Sequence, residues 1–208
     1  MKKASLLTII LSSVISAACF AQNYSVVNVN DNPADAIYAL ERNAPVSFDK
    51  GKTVELNIDF SEAEIVDFDN DHRTVIRDFG TFDQYSAERG QSFLDEWPTV
   101  MKMMTAFACK RLKTSFGADF AAPGECANPD YKLIVKLGQF EFGHFVAVGG
   151  VKDGGTVTKG LIEIYDSTGA LAAVYDINYL RGANVGYGNK DRLREWGKFF
   201  SKEFKKAF

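Results

Sequence analysis

The chain has 208 residues, of which 46% are hydrophobic and 13% aromatic, and its formal net charge is −3. This composition is ample for a packed core and fits one domain, or one domain with an appendage. A mildly acidic balance argues against a protein whose main role is to coat nucleic acid or an anionic membrane.

The first 21 residues have the pattern of a secretory signal peptide. Two lysines precede the apolar run Leu6–Val14, and small residues lead up to Ala21. Cleavage after Ala21 would release a periplasmic domain spanning residues 22–208. Cleavage before Cys19 would instead produce a lipoprotein anchored to the outer membrane, because Ser16–Cys19 loosely resembles a bacterial lipobox.

Two further cysteines, Cys109 and Cys126, remain in the mature chain. An even pair in an exported protein is most simply a disulfide, and the chain-entropy model gives it a stabilisation of about 3 kcal/mol. The alternative is a pair of buried free thiols.

Residues 22–50 are interpreted as a preface to the domain. A short strand is predicted over Asn23–Asn30. An Asn cap followed by Pro predicts a short helix from Asn32 to about Arg42, with Ile37 and Leu40 facing inward.

Period-2 alternation predicts a strand over Thr53–Phe60. The segments Ala63–Phe68 and Arg73–Phe79 follow, and they predict a hairpin, or an excursion from the sheet, as an insert over residues 63–79. Gly80–Gly90 is predicted to be a loop.

A long helix is predicted within Gln91–Phe116. Proline is tolerated only in a first helical turn, so Pro98 places the start of the regular part near Trp97. The predicted apolar face consists of Val100, Met103, Met104, Phe107, Ala108 and Leu112.

The clearest strand patterns lie between Tyr131 and Gly182. Alternation from Tyr131 changes phase at Gly138, which predicts a bulge there. Thr156–Asp166 and Leu171–Leu180 flank the turn sequence Asp166–Gly169 and predict a hairpin.

A closing helix is predicted from about Lys190 to Ala207, with an inward stripe of Leu193, Trp196, Phe200 and Phe204. Its other residues are strongly basic. That face would bind an acidic lipid or a partner, or would simply be solvated. The element order predicts an α+β fold: a mixed, mostly antiparallel sheet with two main helices on one face, in the order strand, helix, strand, hairpin, helix. The first strand and the strand after the helix would pair in parallel.

The succession TVELNIDFSEA, helix, YKLIVKLGQFEFG, GLIEIYDSTGALAAVYDINYLRG and RLREWGKFFSKEFKKAF resembles uncharacterised exported or lipid-anchored proteins of Gram-negative bacteria. In layout, the same succession resembles the α/β domains of curli-secretion lipoproteins and the amino-terminal domain of TolB. The resemblance spans roughly Thr53 to Phe208 and implies a part of an envelope assembly without catalytic residues. The insert at residues 63–79 departs from that layout.

An acidic segment partly fits a calcium loop, with Asp67, Asp69 and Asp71 at alternate positions and Asp78 at the twelfth. Such a loop needs several oxygen ligands and a glycine at its sixth position, where His72 stands. An acidic hairpin turn is the other interpretation.

The glycines of Gly182–Gly188 resemble a cofactor loop, but the chain ends after the next helix and no acidic ribose ligand follows, so a plain strand-to-helix loop is favoured. The two histidines, His72 and His144, lack neighbours at metal-ligand spacing. The sequence therefore predicts no catalytic residues, no cofactor and no cofactor-binding residues, with calcium as the one exception to be tested.

The leading hypothesis is a non-enzymatic binding or assembly module of the bacterial cell envelope, with an envelope protein as its partner. A sheet edge or the insert would be the contact surface. One alternative is a periplasmic protein that binds a small ligand, a glycan or calcium, using the loops at Gly143–Gly155 and Gly182–Gly188. The other is an undetected hydrolase with two acids facing one cleft.

Overall fold

The computed structural model describes residues 35–69, 74–143, 155–182 and 189–208, which belong to one unit beginning at Asp35. Within these ranges the chain forms eight strands and three helices. In chain order they are β1 (Ile37–Arg42), β2 (Thr53–Asp59), β3 (Glu64–Phe68), β4 (Val75–Thr81), α1 (Phe82–Arg89), α2 (Gln91–Phe116), β5 (Asp119–Ala121), β6 (Tyr131–Glu141), β7 (Val157–Asp166), β8 (Leu171–Arg181) and α3 (Asn189–Ala207).

All eight strands belong to one mixed sheet, and the predicted α+β class is confirmed. The order across the sheet is β1-β8-β7-β6-β2-β5. The first half of β6 pairs in parallel with β2, from Val54 opposite Tyr131 to Asp59 opposite Lys136, as predicted. Further along, β6 pairs in parallel with β3, and β3 pairs antiparallel with β4. The insert therefore widens the sheet at one end of β6.

The predicted turn and the predicted bulge of the central strands are both confirmed. β7 and β8 form an antiparallel hairpin. At its turn, the Asp166 carboxylate accepts hydrogen bonds from the backbone N–H groups of Thr168 (2.8 Å) and Ala170 (3.0 Å). The register between β6 and β7 shifts at Gly138. A Cβ at Gly160, on the facing strand, would lie 2.1 Å from the carbonyl oxygen of Lys136, so the bulge needs glycine opposite it.

The helices cover one face of the sheet, where the main core lies. The predicted inward stripe of α3 is confirmed, since Leu193, Trp196, Phe200 and Phe204 are all buried. Trp196 donates from Nε1 to the Thr158 hydroxyl of β7 at 2.9 Å, which satisfies both groups inside the core. On α2 one predicted core residue is wrong: Met103 is 43% exposed.

The two long helices pack against each other closely and run in the same direction. A Cβ at Gly197 of α3 would lie 3.0 Å from the Cα of Ala108 of α2. One to two turns further along both helices, the hydroxyls of Ser115 and Ser201 form a hydrogen bond of 2.9 Å. The carboxyl ends of both helices therefore lie at the same end of the unit.

The predicted helix from Asn32 to Arg42 is wrong over its described part, because Ile37–Arg42 is strand β1. This strand pairs antiparallel with β8, with Ile37 opposite Ile177 and Ala39 opposite Tyr175. Ile37 is buried as expected, but Leu40 is 51% exposed. Pairing with an available sheet edge outweighs the local capping pattern, since strand formation depends on tertiary context. The strand predicted over Asn23–Asn30 lies outside the described residues.

The predicted loop at Gly80–Gly90 is also wrong, because Phe82–Arg89 is helix α1. The long helix α2 then begins at Gln91 rather than near Trp97, with Pro98 inside it. The side chain of Pro98 is exposed. Leu94, whose carbonyl has no N–H of residue 98 to accept from, is 41% exposed, and a solvent-facing position lowers the cost of an interior proline.

Candidate functional site

The insert predicted at residues 63–79 is an antiparallel hairpin formed by β3 and β4. Among the described residues, β4 pairs with β3 alone, so its other side is an edge of the sheet. Val75 and Ile76 on this strand are exposed, Ile76 by 57%. The register of the hairpin shifts where Phe68 faces Val75 and Asp67 faces Arg77, which leaves Ile76 as the extra residue of a bulge. A bulge re-aims the side chain that it carries.

Helix α1 follows β4 directly and is fixed to it by a capping box. The Thr81 hydroxyl accepts a hydrogen bond from the backbone N–H of Gln84 at 3.4 Å. In return, the Gln84 side chain accepts from the Thr81 backbone N–H at 2.9 Å. Gly80 precedes the box with a φ of 79°, and a Cβ there would lie 2.0 Å from Gln84 Oε1. This local chemistry sets the direction in which α1 leaves the hairpin.

A groove of about 410 Å³ lies between the hairpin, α1 and the start of α2. We call it the hairpin groove. It is lined by Ile65, Val66, Asp67, Phe79, Tyr85, Arg89, Ser92, Phe93, Glu96, Phe142 and Gly143.

Tyr85 is the central aromatic residue of the hairpin groove. Its ring stacks on that of Phe142 with a centroid distance of 5.2 Å and an interplanar angle of 10°. It contacts Phe79 and Phe93 edge-on, at 5.6 Å and 5.8 Å. Such pairs add about 0.5–1.5 kcal/mol each beyond the area they bury. The aromatic side of the groove is therefore a rigid part of the core.

Charged groups lie against these rings. The Arg89 guanidinium is 4.7 Å from the centroid of Tyr85, and the Arg77 guanidinium is 4.4 Å from that of Phe79. Burial raises the pKa of Tyr85, nearby Arg89 opposes the rise, and Asp67 adds to it. The groove thus combines apolar rings with charges of both signs, an arrangement suited to binding a ligand that is partly polar and partly apolar.

Three of the four aspartates predicted as a weak calcium site are described, and the structure does not place these three together as a group that could hold a metal ion. Asp67 is buried on β3, and Asp78 lies on β4, where it accepts the Gly80 backbone N–H at 2.7 Å. The Asp69 N–H donates to the Thr74 carbonyl at 2.8 Å. Asp71 lies outside the described residues. Within the described ranges, no group of three or more His, Cys, Asp or Glu residues is placed to hold a metal ion, so calcium binding stays a prediction.

The predicted disulfide is not formed in this structure, in which Cys109 and Cys126 are both free thiols. Cys109 is buried in the core face of α2, whereas Cys126 is half-buried in the loop before β6. Burial raises the pKa of the Cys109 thiol to about 12, and the neighbouring charge of Glu125 adds to the rise. A thiol held protonated in this way is a poor nucleophile for disulfide formation.

Other predicted site residues lie outside the described ranges: Cys19, His72, residues 144–154, which include His144, and residues 183–188. Gly143, Gly155 and Gly182, at the ends of the two proposed ligand loops, are described. Of these, Gly143 lines the hairpin groove.

The hairpin groove does not follow from the sequence pattern, which predicts a loop over residues 80–90. The signal that would have found it is Thr81-x-x-Gln84, a capping-box spacing in front of the apolar Phe82 and Tyr85. A polar cluster on the other face of the sheet was also missed. There, Asp176 is 7% exposed, and this burial raises the pKa of its carboxyl group. A hydrogen bond from Tyr38 and the charge of Lys159 partly offset the rise.

Comparisons with known proteins give no family model and no curated protein that matches the chain. Among solved structures, the chain is similar to the PelC dodecamer from Paraburkholderia phytofirmans, with 15% identity, 79% of this chain and 96% of that chain covered, and a TM-score of 0.41. A variant of that dodecamer gives 15% identity, coverage of 80% and 96%, and a TM-score of 0.39. The chain is also similar to an uncharacterized protein, with 12% identity, 80% of this chain and 97% of that chain covered, and a TM-score of 0.35.

At TM-scores of 0.41 and below, these likenesses support no statement about function or assembly. The resemblance to curli-secretion lipoproteins and TolB stays a prediction. In the described part of the chain, no helix combines the length and the apolar character needed to span a membrane.

Proposed function

We propose that the protein is a non-enzymatic binding module of the bacterial cell envelope, exported to the periplasm, which contacts an envelope protein through the exposed side of β4. The observation that carries the proposal is Ile76, 57% exposed at a bulge of a strand that pairs on one side only among the described residues.

The chemistry of β4 fits a small protein–protein contact. Val75 and Ile76 form an exposed apolar centre, and the next two residues, Arg77 and Asp78, supply charges beside it. Interfaces typically place apolar groups at the centre and polar groups at the rim. The charged neighbours also limit non-specific edge-to-edge association, which an open strand otherwise invites.

The other edge of the sheet offers a matched control. Leu40 on β1 is 51% exposed and is likewise the extra residue of a bulge, between Ala39 and Glu41 in the pairing with β8. A photo-activatable cross-linking residue at position 76, and separately at position 40, would be introduced into the exported chain in intact cells. We expect one envelope protein to cross-link at position 76, in an amount nearly equal to that of this chain, and not to cross-link at position 40.

Charge substitution then tests the contact without cross-linking. Ile76→Lys is expected to lower recovery of that protein by about tenfold or more, which corresponds to about 1.4 kcal/mol, whereas Leu40→Lys leaves it unchanged. Recovery lost only in Leu40→Lys would move the contact to β1 and overturn the proposal. Cross-linking to a second copy of this chain, or to nothing, would also overturn it.

A second candidate function is the binding of a small ligand or a glycan in the hairpin groove. The observation in its favour is the combination of Tyr85 and Phe93 with Arg89 and Glu96 along one groove. A ligand that binds the folded state raises the melting temperature. Thermal-shift screening with oligosaccharides and with calcium, repeated on Arg89→Ala, tests it; a shift unaltered in Arg89→Ala would contradict binding in this groove.

The hydrolase hypothesis also has a defined test here, because Asp67 and Glu96 both line the hairpin groove. Turnover of a glycoside that is lost in both Asp67→Asn and Glu96→Gln would support it and would contradict the non-enzymatic proposal.

A further inference from the structure

A second groove runs between α2 and α3. It has a volume of about 370 Å³ and is lined by Arg111, Thr114, Ser115, Lys198, Ser201, Lys202, Lys205 and Lys206. Five of these eight residues are basic, and no described acidic residue lines the groove. We call it the basic groove.

Acidic neighbours neutralise the basic groove only in part. Glu195 lies 3.5 Å from Lys198, and Glu203 lies 3.7 Å from Lys202 and 2.6 Å from Lys206. These two carboxylates pair with three of the five cations of the groove, and exposed ion pairs of this kind are weak. The groove therefore keeps a positive potential, although the chain as a whole has a net charge of −3.

Favourable interaction with the helix dipoles explains the position of only some of these basic residues. Both helices end on this side of the unit, and Lys205 donates to the carbonyl of Ser115 in the last turn of α2. The effect of the dipole falls off within the last turn. Lys198 and Arg111 lie more than one turn before the ends of their helices, so capping does not account for them.

The two helices that carry the cations also carry apolar side chains outside the fully buried core: Met103 is exposed, and Phe107 and Phe199 are half-buried. Met103 is 43% exposed and, with Phe107 and Arg111, follows the spacing of one stripe on α2. The Arg111 guanidinium lies 4.9 Å from the ring centroid of Phe107, and Lys198 lies 5.8 Å from that of Phe199. Basic residues next to exposed apolar side chains are typical of helices that lie on an anionic lipid surface.

We propose that the face formed by α2 and α3 docks on the anionic surface of a lipid bilayer. The five cations of the basic groove hold lipid phosphates, and Met103 enters the boundary between headgroups and acyl chains. This surface is separate from the β4 edge, so the protein would contact a membrane and a protein partner with different parts of the fold.

The test is flotation of the purified exported chain with lipid vesicles. We expect binding to vesicles of mixed phosphatidylglycerol and phosphatidylcholine, no binding to phosphatidylcholine alone, and release by added salt, since surface electrostatics are screened. Each basic residue near such a surface strengthens binding by about fivefold, so Lys198→Glu with Lys202→Glu is expected to weaken it by at least about 25-fold.

A matched charge control is Lys50→Glu with Lys132→Glu, which reverses two exposed lysines that do not line the groove and do not lie on α2 or α3. This control is expected to bind the mixed vesicles nearly as well as the wild type. Thermal unfolding of both double variants checks that each is folded. If the groove double variant is not folded, Lys202→Gln alone gives the same comparison, with a loss of about fivefold.

The variant Met103→Ser distinguishes binding to a bilayer from binding to a soluble polyanion. We expect Met103→Ser to weaken vesicle binding while leaving binding to heparin unchanged, because only a bilayer offers an apolar layer to Met103. Heparin binding without vesicle binding would overturn the proposal in favour of an anionic polymer. Equal vesicle binding by the two charge variants, or no vesicle binding at low salt, would overturn it as well.

Discussion

The aromatic core has two ends: one is closed by packed rings, and the other borders the hairpin groove. At one end, which we call the closed cluster, Phe48 contacts five rings within 6.2 Å, those of Phe116, Phe120, Tyr131, Phe204 and Phe208. At the other end, the open cluster consists of Phe60, Phe79, Phe82, Tyr85, Phe93, Trp97, Phe140 and Phe142, and part of it lines the hairpin groove.

An arginine stands beside a tyrosine at each end of the core. Next to the closed cluster, the ring of Tyr175 contacts that of Phe204 at 5.4 Å, and the Arg42 guanidinium lies 5.9 Å from the Tyr175 ring. Arg42 also donates to the Ala207 carbonyl at 3.2 Å, so it fastens the end of α3. In the open cluster, Arg89 lies on Tyr85 and borders the groove. The same residue types thus fasten a helix end at one end of the core and line an open groove at the other.

The largest expected difference in stability between the two clusters comes from deleting one ring in each of them. Phe204→Ala removes a fully buried ring and is expected to cost about 3–5 kcal/mol in the free energy of unfolding, because the fixed neighbours leave a cavity. Phe79→Ala removes a half-buried ring on β4 and is expected to cost about 1 kcal/mol. Urea denaturation measures both; equal costs would contradict the distinction between the clusters.

The close packing of α2 on α3 offers a second test. Gly197→Ala raises helix propensity but places a methyl group against Ala108, so we expect a net destabilisation of about 1–3 kcal/mol. Adding Ala108→Gly removes the opposing methyl and is expected to recover part of that loss in a double-mutant cycle. A stabilised Gly197→Ala protein would show that the helices move apart without cost.

At the open end, Gly80→Ala tests the junction between β4 and α1. The new Cβ would displace Gln84 from the capping box, in addition to straining a φ of 79°. Gly51→Ala is the control, since it has a φ of 95° and no atom within 4 Å of the added Cβ. We expect Gly80→Ala to be the more destabilising of the two by about 1 kcal/mol, the worth of a cap.

Titration compares the two arginine–tyrosine pairs directly. Burial raises the pKa of Tyr85 and of Tyr175 above 10.0, and the nearby Arg89 and Arg42, respectively, oppose these rises. A raised tyrosine pKa contributes stability that is fully present below pH 10.0 and is lost as the pH rises through the folded-state value.

Arg89→Ala is therefore expected to raise the pKa of Tyr85 further, and Arg42→Ala that of Tyr175, as followed by phenolate absorbance. The folded protein loses stability at high pH partly because Tyr85 ionises, and Tyr85→Phe should remove that contribution. A lower tyrosine pKa in Arg89→Ala would contradict the assigned contact.

The smallest perturbation is chemical labelling of the thiols. Under native conditions without reductant, an alkylating reagent is expected to label Cys126 and to reach Cys109 only after unfolding, because Cys109 is buried and its pKa is raised to about 12. Mass spectrometry of the labelled protein decides the outcome. If both thiols were protected until a reductant was added, they would form the disulfide that the sequence predicts.

Elements with strong periodic patterns were predicted well. The alternation in β2 and β6, the Asp166–Gly169 turn, the bulge at Gly138 and the inward stripe of α3 all depend on local spacing, which reports directly which face of an element is buried. The hairpin insert was also located, although the use of its edge as a contact surface stays a proposal.

The errors fall where local and tertiary preferences disagree. Residues Ile37–Arg42 carry a helix pattern but pair with β8, because the sheet needs an edge strand there. The pattern over residues 80–90 predicts a loop where the structure has α1, so it does not indicate the hairpin groove. The basic groove joins α2 to α3, which are far apart in sequence.

The sequence alone determined the α+β class, the order of the central strands and helices, and the basic composition of the last helix, because each follows from spacing and composition along the chain. Only the tertiary structure decided that α2 and α3 lie side by side in one direction, that their cations share a groove, and that the β4 edge is left exposed. Those features depend on contacts between segments distant in sequence, which no local pattern encodes.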